Sequence, residues 1–148
     1  MLPAHISRAM ANPKQNERLT SSRKPTVLIV EDVVLVRMLL ANLLRERGFE
    51  IIEASTADEA VRVLEAGFPV RVVMTDVYMP GSSMDGLALA RWVHAHRPGL
   101  KVILGSGVVS DTDPADAAFY EAPILQKPYK REELELRLRA ALDDPPQP

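Results

Sequence analysis

The sequence predicts an α/β fold of the doubly wound kind, a (βα)5 parallel sheet with strand order 2-1-3-4-5 and helices on both faces. Three observations lead there. Five short apolar runs alternate strictly with helix-period segments between residues 26 and 142, the pattern of parallel strands joined by helical crossovers. The clearest of these runs is apolar almost throughout rather than at every second position, as a strand covered on both faces must be. Right-handed crossovers in a chain of this size favour that strand order.

Each element has a local cause. TVLIVE (26–31) is the first strand, and residues 33–47 follow as a helix with Leu35, Met38, Leu39, Leu43 and Leu44 as its apolar positions. Gly48 stops that helix, since a residue just past a helix end often needs the left-handed backbone that glycine adopts freely. FEIIEA (49–54) is the second strand. Ser55 or Thr56 caps a second helix running to Ala66, with Asp58 and Glu59 in the first turn, where the helix dipole favours them. Gly67 and Pro69 end it, and 70–75 is a third strand ending at Asp76. After the loop 77–84, a third helix covers 85–96 and ends before Pro98-Gly99. KVILG (101–105) is the fourth strand, 106–113 a Gly/Ser/Asp loop, and Pro114 suits the first turn of a short fourth helix over 114–122. ILQK (124–127) is the fifth strand, and a last helix covers 130–142 with Leu134, Leu138 and Ala141 on one face.

The 148 residues suffice for one domain, and a 47% share of apolar residues allows a proper core. The net charge of −2 is unevenly spread. Residues 1–25 carry Arg8, Lys14, Arg18, Arg23 and Lys24 against Glu17 alone, while the remainder carries 13 basic and 19 acidic residues. An acidic body argues against a nucleic-acid groove, which needs a clustered basic face. Residues 1–25 hold no aromatic residue and are expected to be a disordered basic tail. DDPPQP (143–148) cannot continue a helix and is expected to be a second tail, which leaves 26–142 as the folded domain. No apolar core of signal-peptide length follows the basic residues, and no stretch approaches the ~20 apolar residues of a membrane span. Zero cysteines exclude a disulfide framework and a thiolate metal site. A cytoplasmic protein with neither nucleic acid nor membrane as partner is expected.

In an open α/β sheet, ligands bind beyond the carboxyl ends of the strands, where the strand order reverses. Here that edge gathers Glu31 and Asp32 after strand one, Asp76 at the end of strand three, Ser106 after strand four, and Lys127 followed by Pro128 after strand five. An ionised carboxylate within an apolar strand costs several kcal/mol or more if unpaired, so Asp76 belongs in a polar pocket at this edge. Clustered carboxylates repel one another unless a cation joins them. As hard oxygen donors without competing Cys or His, they suit Mg2+. Lys127 supplies a point charge of the kind that complements a phosphoryl group, and Ser106 a hydroxyl donor.

Glu31-Asp32, the DVYMPG stretch at Asp76, LGSG with Ser106 and QKPY with Lys127-Pro128, at these spacings, resemble the receiver domain of bacterial two-component response regulators. The similarity covers about residues 26–142. It implies a flavodoxin-like fold in which Asp76 is the phosphoacceptor, Glu31 and Asp32 hold Mg2+ together with Asp76 and the backbone carbonyl of Tyr78, and Ser106 and Lys127 attend the phosphoryl group. It also implies a cis bond between Lys127 and Pro128, an output passed through loop 106–113 and the fourth helix, and a single-domain regulator that is not an enzyme beyond its own phosphorylation and dephosphorylation. The implied partners are a histidine kinase or histidine phosphotransfer protein and an unidentified downstream protein, with a homodimer compatible. Only six residues follow 142, so output is expected by protein contact or phosphate relay.

The chain departs from the family pattern at Ile124, where most members carry Tyr or Phe three residues before the lysine. Phe119, Tyr120 and Tyr129 are the aromatics near enough in sequence to substitute. Two other functions are weighed against the receiver reading. A Mg2+-dependent phosphohydrolase working through an aspartyl phosphate typically needs a second acid two residues after the nucleophile, where this chain has Tyr78. A receiver-like module that only binds a partner is disfavoured by the intact Asp76, Asp32 and Lys127. The apolar excess at Val33, Val34, Leu35 and Val36 means either deep burial or a docking patch for a kinase helix bundle, which in this family often meets that helix. His94 and His96, two apart, point to different helix faces, which is poor metal spacing, and are read as surface residues. Trp92 is read as packing.

Overall fold

The computed structural model describes residues 24–107 and 113–143. Along the chain lie β1 (Thr26–Val30), α1 (Val34–Glu46), β2 (Glu50–Ala54), α2 (Ala57–Glu65), β3 (Val70–Asp76), α3 (Gly86–His96), β4 (Lys101–Ser106), a 3-10 segment (Pro114–Phe119), β5 (Glu121–Gln126) and α4 (Arg131–Asp143). All five strands pair in parallel in one sheet of order β2-β1-β3-β4-β5, as the alternation of elements predicts. Of the expected tails at 1–25 and 143–148, residues 1–23 and 144–148 lie outside the described residues, as do positions 108–112 of the loop after β4, while Asp143 closes α4.

The sheet is covered on both sides, which is why its strands read as apolar runs. On one face Leu28, Val30, Val73, Val102 and Leu104 pack against Ala60, Val63 and Leu64 of α2 and Leu89, Ala90 and Val93 of α3. On the other, Val27, Ile29, Val72, Met74, Ile103 and Leu125 pack against Leu40, Ala41 and Leu44 of α1 and Leu134, Leu138 and Ala141 of α4. Each buried large side chain contributes roughly 1.5–3 kcal/mol of transfer free energy.

The ends of the helices follow local chemistry. Thr56, rather than Ser55, is the N-cap of α2, its hydroxyl accepting from the Glu59 amide at 3.1 Å. Asp85 caps α3 by accepting from the Ala88 amide at 2.8 Å. Gly48 adopts φ +94°, the left-handed geometry its position after α1 requires.

Three expectations need correction. The fourth helix is not an α-helix over 114–122 but a 3-10 segment ending at Phe119, and β5 begins at Glu121 rather than Ile124. Pro114 starts the segment and Asp113 caps it. Asp116 pins it to α3, because Arg91 donates to both of its carboxylate oxygens at 3.0 and 2.8 Å. Secondly, the inward stripe of α1 is Leu40, Ala41 and Leu44, whereas Leu35, Met38 and Leu39 are exposed. Thirdly, deep burial of the apolar start of this helix is overturned: Val33 and Val34 are 50% and 57% exposed, and Leu35 66%. The start of α1 extends past the sheet edge, so its apolar residues there have no strand to cover.

Gly86, the first residue of α3, sits on the strand end that carries Asp76. Its amide donates to the Val77 carbonyl at 2.9 Å. A Cβ there would overlap the Asp76 carbonyl oxygen and fall 2.8 Å from the carbonyl carbon. Gly86→Ala is therefore expected to destabilise the fold by about 1–3 kcal/mol, as overpacking typically does. The measurement is the urea unfolding midpoint, which should fall with an unchanged m-value.

Candidate functional site

Sheet register builds the site. Val30 pairs with Thr75 and Asp76 with Gly105, so Glu31, Asp76 and Ser106 leave their strands side by side. Ser106 pairs with Gln126, and its carbonyl accepts from the Lys127 amide at 2.8 Å, which brings the lysine to the same edge. The Lys127–Pro128 peptide bond is cis, as is Ala122–Pro123.

The residues expected at the site converge. Oxygen atoms of Glu31, Asp32 and Asp76 lie within 4.8 Å of one another. Lys127 Nζ sits 3.2 Å from Asp76 Oδ2 and also forms an ion pair with Glu31 Oε1. Glu31 is only 2% exposed, and its Oε2 accepts from the Val33 amide at 3.2 Å. Asp76, Tyr78, Ser106, Gly107 and Lys127 line an open cavity of about 400 Å3. A Cβ on Gly107 would meet nothing within 4 Å, so the mouth above Ser106 is open.

Burial raises the pKa of Asp76, the Lys127 charge opposes this, and the neighbouring Asp32 charge adds to it. Glu31 is likewise raised by burial, against the Lys127 hydrogen bond. For Lys127, burial alone would lower the ammonium, but the hydrogen bond and charge of Glu31 and the charge of Asp76 outweigh it and hold its pKa above the ordinary value. Three carboxylates against one ammonium leave the cluster net negative. A hard divalent cation fits that oxygen donor set, while no Cys or His is among the donors.

Three participants escaped the sequence reading or stood at its margin. Arg37 donates to the Glu31 carbonyl at 2.9 Å and faces Glu53 at 3.4 Å, which fixes the strand end under the acidic pair. Gly105 and Tyr129 meet: a Cβ on Gly105 would overlap the tyrosine hydroxyl. Tyr129 is desolvated, and its pKa is pushed upward by burial and then by the charges of Asp76 and Glu31. The one available signal was that glycine in an otherwise apolar strand marks a close approach. Ile124 packs against the face of the sheet that carries α2 and α3, alongside Phe119 and Tyr120.

With this geometry in place, comparison with known proteins is decisive. Residues 27–139 match the family described as the response regulator receiver domain. The chain belongs to that family. This receiver domain is 36% identical over 139 residues to the sensor kinase CckA of Brucella abortus, covering 90% of this chain and 14% of the kinase. It is 30% identical over 118 residues to a putative NtrX-like response regulator of Rickettsia bellii, covering 79% of this chain and 24% of that protein. The chain thus spans a small part of the curated relatives it matches. Among solved structures, the receiver domain of NtrX from Brucella abortus is similar with a TM-score of 0.72 and 32% identity, covering 79% of this chain and 98% of that one. Receiver domains bind Mg2+ at an acidic pocket and interact with histidine kinases and downstream effectors. No helix among the described residues is long and apolar enough to cross a membrane.

The raised carboxyl pKa of Asp76 fixes the sign of a stability effect. A carboxylate whose folded pKa lies above its unfolded value favours the fold when protonated, and that contribution is lost as pH rises through the folded pKa. Asp76→Asn, neutral at every pH, is therefore expected to have a higher Tm than the metal-free parent at pH 7. Its advantage should shrink as pH falls toward the ordinary aspartate value of 3.8, as read by thermal unfolding of both proteins in chelator across that range.

Proposed function

We propose that this receiver domain accepts a phosphoryl group on Asp76 from a phosphohistidine of a histidine kinase or histidine phosphotransfer protein, and transmits the signal through protein contacts or onward relay. The observation that carries this reading is the Asp76 carboxylate, 3.2 Å from Lys127 within a three-carboxylate cluster, beside Ser106 in an open cavity. An Asp76 oxygen attacks phosphorus, the bond between phosphorus and the donor imidazole nitrogen breaks, and the imidazole keeps the electron pair. Lys127 offsets charge on the transferring oxygens, and Ser106 donates its hydroxyl to one of them. Mg2+, held by Glu31, Asp32, Asp76 and the Tyr78 carbonyl, would offset the charge shared by nucleophile and phosphoryl group when bound. Water later attacks the acyl phosphate and resets the carboxylate. The chemistry is thus confined to the chain's own phosphorylation state, and a cytoplasmic location follows from the phosphodonor it needs.

Signalling then requires the phosphoryl group to contact one arrangement of the Ser106 loop and the 3-10 segment better than the other, since equal contacts shift no population. The exposed apolar residues Val33, Val34, Leu35, Met38 and Leu39 support docking of the kinase on α1. The partner-only alternative, with no phosphorylation, predicts the opposite labelling result. A stand-alone receiver is our reading of domain organisation, and the intact mass of the native protein tests it against the longer arrangement of its relatives.

Metal-dependent labelling with acetyl phosphate is expected to place one phosphoryl group on the parent protein and none on Asp76→Ala. Incorporation that persists in the variant, or none in the parent from any donor, overturns the assignment. Lys127→Ala is expected to slow labelling on the order of 100-fold, the cost of removing one preorganised charge-stabilising group. Mg2+ at about 100 times its Kd should add about 2.7 kcal/mol of stability, measured by thermal unfolding, and Asp32→Asn should abolish most of that gain.

A further inference from the structure

Lys127 lies between two cavities. On one side is the open space it shares with Asp76, Tyr78 and Ser106. On the other is an apolar cavity of about 550 Å3, where Lys127 and Pro128 face Val36, Leu39, Leu40 and Leu43 of α1. A lysine is a flexible four-carbon stem with a rotatable head, and here room exists on both sides of it. Its ammonium nonetheless stays on Glu31 and Asp76. Something must form the wall on the apolar side.

Tyr129 stands there. Its ring centroid is 5.9 Å from Lys127 Nζ, within the ~6 Å reach at which an aromatic face attracts a cation. The ring also lines the apolar cavity. Its far end is seated in a notch left by Gly105, where a Cβ would overlap the hydroxyl oxygen and lie 2.7 Å from Cζ and 2.8 Å from Cε1. Gly105 is the register partner of Asp76, and paired residues of a parallel sheet present their side chains on the same face, about 5 Å apart. The phenol therefore occupies the side-chain row of Asp76 itself. Burial and the charges of Asp76 and Glu31 keep the phenol protonated and neutral, so it adds no negative charge to an already acidic cluster.

We propose that Tyr129, seated in the notch left by Gly105, is a positioning residue that holds the Lys127 ammonium against Glu31 and Asp76. The consequence for phosphoryl transfer rests on the reading of Asp76 as phosphoacceptor. The placement of the ammonium does not.

The test uses Tyr129→Leu, which removes the aromatic face, Tyr129→Phe, which keeps it, Gly105→Ala, which evicts the ring, and the Gly105→Ala/Tyr129→Leu pair. Two quantities are read on folded protein of confirmed urea midpoint: the initial rate of labelling by acetyl phosphate with Mg2+, and the proton–nitrogen NMR signal of the Lys127 ammonium in the cold, assigned through Lys127→Arg. Tyr129→Leu and Gly105→Ala should slow labelling about threefold or more, as loss of a partly buried cation–π contact implies, and should broaden or erase the ammonium signal. Tyr129→Phe should restore both to within about twofold of the parent, and the double variant should be no worse than Tyr129→Leu, because both changes act through one seat. A folded Tyr129→Leu with the parent's rate and an unchanged Lys127 signal overturns the proposal. If the parent takes no phosphoryl group from any donor, the phosphoacceptor reading falls alone, and the ammonium signal across the same variants still decides the placement.

Discussion

The structure turns on the ammonium of Lys127 held between Glu31 and Asp76. Three carboxylates at one sheet edge repel one another, and two of them are substantially buried, so the cluster would be costly without a cation. The lysine reduces the repulsion without cancelling it. What remains is a net negative, oxygen-lined cavity whose mouth is open to solvent. This balance gives the site its properties: a carboxylate facing an open cavity, an oxygen cluster that attracts a hard cation, and a positive charge beside Asp76.

Everything that places these groups is ordinary packing. The two cores on either face fix the register of β1, β3 and β4, and register alone brings Glu31, Asp76 and Ser106 into one row. Arg37 ties the end of β1 from outside. Gly86 permits α3 to begin directly against the carbonyl of Asp76. None of these contributors belongs to the carboxylate cluster, yet each sets where one of its members lies.

The sheet and its edge were legible in the sequence because two-sided burial leaves apolar runs, and because four of the five runs, all but the second, ended in a polar or charged residue. Asp76 announced a polar pocket by interrupting VVMT. The 3-10 segment was not legible. It is tied to α3 by the Arg91–Asp116 ion pair, a contact between residues 25 apart that no local propensity reports, and it is cut short by the early start of β5 at Glu121. The inward face of α1 was not legible either. Its first two turns are apolar on the outside as well, so periodicity alone could not say that Leu40 and Ala41 face the sheet while Leu35 and Leu39 do not. The meeting of Gly105 and Tyr129 spans a strand and a loop, and only register reveals it.

The bidentate grip of Arg91 on Asp116 has a mechanical consequence. Asp116 is 8% exposed while the Arg91 side chain that holds it is 49% exposed, so the guanidinium reaches in from the surface to cover the carboxylate. The short segment after β4 is accordingly fastened to the third helix like a hinge leaf screwed to its frame. Moving the segment away from the third helix would therefore mean parting this ion pair, and keeping the pair would mean moving the two surfaces together.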